Sequence, residues 1–327
     1  MTRRFLARAA PPSNLERFAL SAAVSAHPRS NLVGVGIGPK ICGGKETSTR
    51  AVRFYVEQKV PPSGLTEESM LPSEIDGIPT DVVATGRFRL LSTASDNRLR
   101  RRPARPGSSI GFKIPPPKDT FVMAGTFGAV VSRNGSRYIL SNNHVLAENG
   151  IVALGAPIFQ PGLLDGGNAA TDQIAALTQF VKVGRTGGAA VDCAIAEIQA
   201  NAKVSAQLMP GVGSLKSANP VAAKTGMKVE KTGRTTGYTR GSVFDIQADI
   251  TIPYEDPGGE FDAVFTDQIM IRADAGMFSD RGDSGALIVD RATKRATGLL
   301  FAGSRTHTIA NHIAVVLEAL GVSLEIG

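Results

Sequence analysis

Arg281-Gly282-Asp283-Ser284-Gly285-Ala286-Leu287-Ile288-Val289 decides how this chain is read. Glycines on both sides of a serine permit a tight turn that exposes the side chain, and the apolar run that follows is a strand that holds the turn rigid. If the turn also aims the backbone N–H groups of Gly282 and Ser284 at one point, they suit the charge of an oxyanion. A Gly-Asp-Ser-Gly tetrapeptide alone is equally a plain turn. The chemistry therefore needs two more groups, a base for the serine and a partner that orients the base.

Tyr138-Ile139-Leu140-Ser141-Asn142-Asn143-His144-Val145-Leu146 offers the base. A serine hydroxyl is weakly nucleophilic until a neighbour accepts its proton, and imidazole titrates near neutrality, so it can take the proton and return it. Ala190-Val191-Asp192-Cys193-Ala194-Ile195-Ala196 offers the orienting group: a run that reads as a strand apolar on both faces, with one carboxylate near its start. A buried aspartate needs a partner, and the second imidazole nitrogen supplies one, although a strand-end cap accounts for it equally well. His27, His307 and His312 read as ordinary histidines, with His307 near enough to the strand at 300–303 to affect it.

Outward from these motifs, residues 121–327 show short apolar runs punctuated by turns, at 122–131, 138–140, 191–198, 228–231, 241–252, 268–272, 286–290 and 296–301. Asn134-Gly135 between two such runs is a strong local hairpin signal. Residues 309–320 carry apolar side chains at helical spacing. Upstream, residues 14–26 have helical spacing, and 31–37, 50–57 and 80–84 read as strands. This gives a small α/β domain at 1–94, a basic proline-rich linker at 95–118 and a β-rich domain at 119–327.

The order His144, Asp192, Ser284 and the Gly282-Asp283-Ser284-Gly285 motif resemble the chymotrypsin-like (trypsin-like) serine protease family. So do the Leu140-to-His144 strand end and the glycine-rich Lys231-Thr232-Gly233-Arg234-Thr235-Thr236-Gly237. The N-terminal unit and the Ser-Asn-Asn-His wording are similar to a bacterial group related to the plant narrow-leaf proteases and, distantly, to the HtrA type. The resemblance covers about residues 118–327. It implies a mainly β fold of two packed six-stranded antiparallel β-barrels with a C-terminal helix. It also implies a His144–Asp192–Ser284 triad, an oxyanion hole from the Gly282 and Ser284 amides, hydrolysis through an acyl-enzyme, and neither metal nor cofactor. Phe278, six residues before the serine, and Phe301-Ala302-Gly303 are the implied substrate pocket, with a small or medium apolar P1 residue and no acid to favour Arg or Lys. Val145 stands where secreted members carry the cysteine of a disulfide. The residue that pairs with Asp283 is not identified by the resemblance.

Charge and composition narrow the alternatives. The chain has 327 residues, 36 bases and 29 acids. Seven of the bases fall in residues 98–118, which hold no acid, so the positive balance belongs to one segment and not to a nucleic-acid-binding face. Two cysteines do not make a disulfide framework, no stretch is long enough to span a bilayer, and residues 2–10 are too short and arginine-rich for a secretory core. The expectation is a cytoplasmic endopeptidase with restricted, regulatory protein or peptide substrates, compatible with a homo-oligomer. The competing expectations are a catalytically silent peptide-binding or scaffold module on the same fold, and docking of the basic segment on acidic partners.

Overall fold

Two adjacent glycines set the first hairpin. Gly43 and Gly44 both have positive φ, and they link β1 (Leu32–Cys42) to β2 (Lys45–Val56), whose end residues Cys42 and Lys45 pair directly. A two-residue loop with φ > 0 at both positions matches the twist of the strands it joins. The computed structural model describes residues 31–66, 69–88, 96–114, 122–208 and 211–327; the expected helix at 14–26 lies outside them. The chain divides into compact units at Met1–Ala84 and Thr85–Gly327.

In the first unit, β4 (Ile78–Ala84) lies parallel to β2 and antiparallel to the short β3 (Glu74–Ile75), giving the order β1-β2-β4-β3. Val35, Val52, Phe54 and Ile75 form its core. A fully buried Arg53 donates to the Pro39 carbonyl and pairs with Glu46 at 3.3 Å.

The second unit holds two rings of strands. In the first ring β7 (Ala129–Arg133), β8 (Ser136–Ser141), β12 (Ala194–Ile198), β10 (Gln173–Phe180) and β9 (Pro157–Phe159) pair antiparallel in that order. Gly111 bridges Phe159, and the adjoining β5 (Ser109–Ile110) pairs with β6 (Gly125–Thr126), which leads into β7 and closes the ring. In the second ring β13 (Lys228–Gly233), β14 (Gly237–Asp256), β15 (Gly259–Ala273), β18 (His307–His312), β17 (Ala296–Gly303) and β16 (Leu287–Asp290) pair in sequence, and β16 returns to β13. Short β11 (Gly188–Ala189) joins the edge of β15, and β19 (Ser323–Leu324) that of β7. The unit is thus two six-stranded antiparallel barrels with a closing helix, the architecture the resemblance implied.

Three boundaries differ from the sequence reading. The apolar tail is helical only as Ile313–Leu320; residues 307–312 are β18, fully engaged between β15 and β17. Asp192 sits just ahead of β12, not inside it. The basic stretch that reads as a linker travels with the second unit: Ile110 and Phe112 are fully buried among first-barrel side chains, and Ala104 bridges Val204. Residues 115–118 of that stretch lie outside the described part.

Candidate active site

At the end of β8 the chain makes a single helical turn, α1 (Asn143–Leu146). The first amides of a helix lack partners within it. Here the Asn143 and His144 N–H groups donate to Asp192 Oδ1 at 2.6 and 3.3 Å. The same carboxylate meets His144 Nδ1 through its other oxygen, Oδ2. Asn142 Nδ2 donates to the Asp192 carbonyl at 2.8 Å, and the Asp192 N–H donates to Asn311 Oδ1 at 3.0 Å, tying this corner to β18. Asp192 thus caps the helical turn, not the end of its own strand, and touches the His144 ring with the same carboxylate.

His144 is 3% exposed and Asp192 is fully buried. Burial disfavours the imidazolium, but the Asp192 carboxylate outweighs it, so the His144 pKa is raised. Four residues on, burial pushes the Glu148 carboxyl up to about 7 against the opposing pull of His144.

Ser284 comes from the second barrel, on a loop whose peptide planes are individually held. Thr235 Oγ1 donates to the Arg281 carbonyl at 2.7 Å, and Thr126 Oγ1 to the Gly282 carbonyl at 2.8 Å. The Ala286 N–H holds the Asp283 carbonyl at 2.9 Å, and the Thr126 N–H the Ser284 carbonyl at 2.8 Å. In a trans peptide, N–H points opposite to C=O. The Asp283 and Gly285 amides are used by the Asp280 and Leu300 carbonyls, whereas the Gly282 and Ser284 amides have no protein partner among the described residues. Gly285, at φ +94°, must be glycine: a Cβ there would lie 2.2 Å from Ser141 Oγ.

Asp283, without an assigned partner in the sequence, pairs with Lys231 at 3.1 Å, both side chains fully buried. It also accepts from the Thr235 N–H at 2.8 Å, the Asp280 N–H at 2.9 Å and Thr236 Oγ1 at 2.6 Å. Burial lowers the Lys231 pKa, and Asp283 opposes that shift. Lys231 lies in the glycine-rich stretch singled out in the sequence, but nothing local marks it as the cation that fixes the loop.

A cleft of about 610 Å³ is lined by His144, Gly282 and Ser284. Met123, Val145, Leu164, Ile252 and Pro253 supply apolar lining, and Arg87, Arg234 and Arg281 also reach it. Ser284 Oγ donates to the Phe301 carbonyl at 3.2 Å. The other expected pocket residues stand back from this cleft: Phe278 packs in the second barrel's core with Ile271, Ala286 and Leu300, while Ala302 and Gly303 pair with Ile309 and Thr308. Sequence reasoning missed Tyr254, whose hydroxyl donates to Asp192 Oδ2. Among the described residues no cluster of side chains has the makings of a metal site, and no helix is long and apolar enough to cross a membrane. Cys42 and Cys193 are both free.

No family model matches the chain, and no curated protein matches it. Solved structures do. Protease A of Thermobifida fusca is 16% identical, with a TM-score of 0.46, over 68% of this chain and 98% of its own. A serine protease described as glutamic-acid-specific, using a histidine triad in substrate binding, is 16% identical with a TM-score of 0.45 over 68% of this chain and all of its own. The chymotrypsin of Cellulomonas bogoriensis is 20% identical with a TM-score of 0.41 over 61% and 90%.

Proposed function

We propose that this chain is a serine endopeptidase that cleaves restricted, regulatory protein substrates through His144, Asp192 and Ser284. The observation that carries the reading is the meeting of the Asp192 carboxylate with His144 Nδ1 on a cleft that Ser284 lines from the other barrel. Capture of Nδ1 leaves Nε2 as the basic nitrogen. Rotation of Ser284 Oγ away from the Phe301 carbonyl aims the hydroxyl at that base. The imidazole takes the hydroxyl proton as Oγ attacks the scissile carbonyl, and the resulting oxyanion lies against the Gly282 and Ser284 amides. The imidazolium then protonates the leaving amine. Water, deprotonated by the same nitrogen, hydrolyses the acyl-serine ester and restores Ser284. No step calls on a cofactor.

The apolar lining accords with a small or medium apolar P1 residue, and the three arginines on the same cleft disfavour Arg or Lys there. A cytoplasmic setting accords with the two free cysteines and remains part of the proposal.

The experiment is labelling by a fluorophosphonate probe together with a proteome-derived peptide digest, wild type against Ser284→Ala. The proposal expects labelling and cleavage in wild type only. Absence of both from folded wild type would sink it in favour of a silent peptide-binding or scaffold module. Ser284→Ala and His144→Ala are expected to abolish cleavage with the fold intact. Asp192→Asn is expected to lower kcat on the order of 10⁴-fold, the loss that the wrong imidazole tautomer causes in a triad of this kind.

A further inference from the structure

Asp192 is fully buried, so each carboxylate oxygen must find donors. Oδ1 is filled by two backbone amides of α1. Oδ2 receives two side-chain donors, the His144 imidazole and the Tyr254 hydroxyl. Tyr254 arrives from the second barrel, near the end of the long β14–β15 hairpin, where it pairs with Phe261. Its placement is stiff. Its ring packs on Phe265 with centroids 5.5 Å apart, and Phe265 on Phe301 at 4.7 Å, the residue whose carbonyl holds Ser284 Oγ. Its ring also meets the His144 imidazole edge-on, at 88° and 6.3 Å. Beyond it, Arg185 clamps the hairpin end through Asp256 at 2.5 Å and the Gly259 carbonyl at 2.7 Å.

We propose that Tyr254 is a positioning residue of this site: its hydroxyl, delivered by the β14–β15 hairpin, fixes the Oδ2 oxygen of Asp192 against His144 Nδ1 and shares its negative charge. The inference rests on the endopeptidase reading above. A donor on Oδ2 does two things. It stops the carboxylate from rotating out of the imidazole plane, and it withdraws charge that would otherwise stabilise the imidazolium. Tyr254 therefore tunes the base downward as well as holding its partner. Burial and the Asp192 carboxylate both push the Tyr254 pKa up, so the hydroxyl keeps its proton and remains a donor. The other titratable groups around this pair are Glu148 beyond α1, Glu255 next to Tyr254, and the buried Cys193 thiol.

The test compares wild type with Tyr254→Phe, which keeps the ring and its packing, and with wild type carrying 3-fluorotyrosine at position 254, whose hydroxyl is a stronger donor. Tyr254→Phe is expected to lower kcat roughly 10- to 100-fold with KM nearly constant, the scale of a lost hydrogen bond to a charged group. It should move the acid limb of kcat/KM to higher pH, since the full Oδ2 charge then falls on the imidazolium. Fluorotyrosine should move that limb to lower pH. Opposite shifts are not produced by a role in packing alone. Wild type that labels with fluorophosphonate, but whose limb stays fixed in the fluorotyrosine protein, overturns this proposal and leaves the endopeptidase reading standing. Wild type that does not label overturns that reading itself. If Tyr254→Phe does not fold, the fluorotyrosine protein decides the matter alone.

Discussion

One carboxylate, Asp192, both caps the turn that carries His144 and touches its ring, so the position of the imidazole and its tautomer depend on the same group. Glu148 adds a second titratable carboxyl to this corner. Its folded pKa of about 7 stands above its ordinary 4.5, so the folded chain holds a proton that the unfolded chain has already lost. Stability from this group is full below pH 4.5 and falls as pH rises to 7, by about 3 kcal/mol at most. Glu148→Gln should flatten that part of a thermal-unfolding profile against pH. What remains is the His144 contribution, which is present below the ordinary imidazole pKa and fades as pH rises through the raised folded value. The same substitution removes a carboxylate that raises His144, so the acid limb of kcat/KM should move to lower pH. Lys231 and Asp283 are a different case, a buried pair under the loop that presents Ser284. Lys231→Met leaves a carboxylate buried without its cation, a change that costs about 3–5 kcal/mol. Urea unfolding should register that loss, and cleavage should fall with it as the loop that carries Ser284 loses the Lys231–Asp283 anchor.

Among the elements, β6 decides how the barrels meet at the site. Thr126 sends its N–H to the Ser284 carbonyl and its Oγ1 to the Gly282 carbonyl, and that Oγ1 also accepts from the Arg234 N–H at 2.9 Å. Thr126→Val preserves shape but strands a buried amide and a half-buried carbonyl, a loss of about 1–3 kcal/mol by chemical denaturation, with kcat falling more than KM changes. The serine turn and the Asn134-Gly135 hairpin were legible because glycine and asparagine at positive φ are local signals. Others were not. β9 is three residues long, and β10 (QIAALTQF) has neither clean alternation nor helical spacing. β18 looked helical because apolar residues at 309 and 313 fit a helix as well as the end of a buried strand; closure of the second barrel resolves them. Only 241–252 and 268–272 of the β14–β15 hairpin carry a strand pattern in the sequence, so Tyr254 lies in the gap between the two segments and its contact with Asp192 has no sequence signal.

On the scale of the whole molecule, the basic run shows why like charges in sequence need not be a tether in space. The acids that neutralise it lie some 70 residues downstream. Asp172, 3% exposed, takes Arg100 at 2.6 Å and Arg102 at 3.2 Å, and Arg98 stands 3.9 Å from Asp165. Arg102 also donates to Gln160 Oε1 at 2.6 Å, and the chain continues directly into buried β5. A sequence window cannot see these partners, because only closure of the first barrel brings them alongside. The consequence is measurable in limited proteolysis. A solvated linker with arginines at 98, 100 and 101 is cut by trypsin as fast as any unfolded peptide. A segment anchored to the barrel is cut only when it opens, so cleavage tracks the free energy of local opening. The wild-type chain should therefore resist trypsin at Arg98, Arg100 and Arg101 under native conditions. Asp172→Asn removes the carboxylate that two of the arginines share, a loss of about 1.5–3 kcal/mol for a charged hydrogen bond, and should accelerate cleavage there roughly 10- to 100-fold. Equal rates in the two proteins, read by mass spectrometry of the first fragments, would mean that these arginines do not hold the segment down.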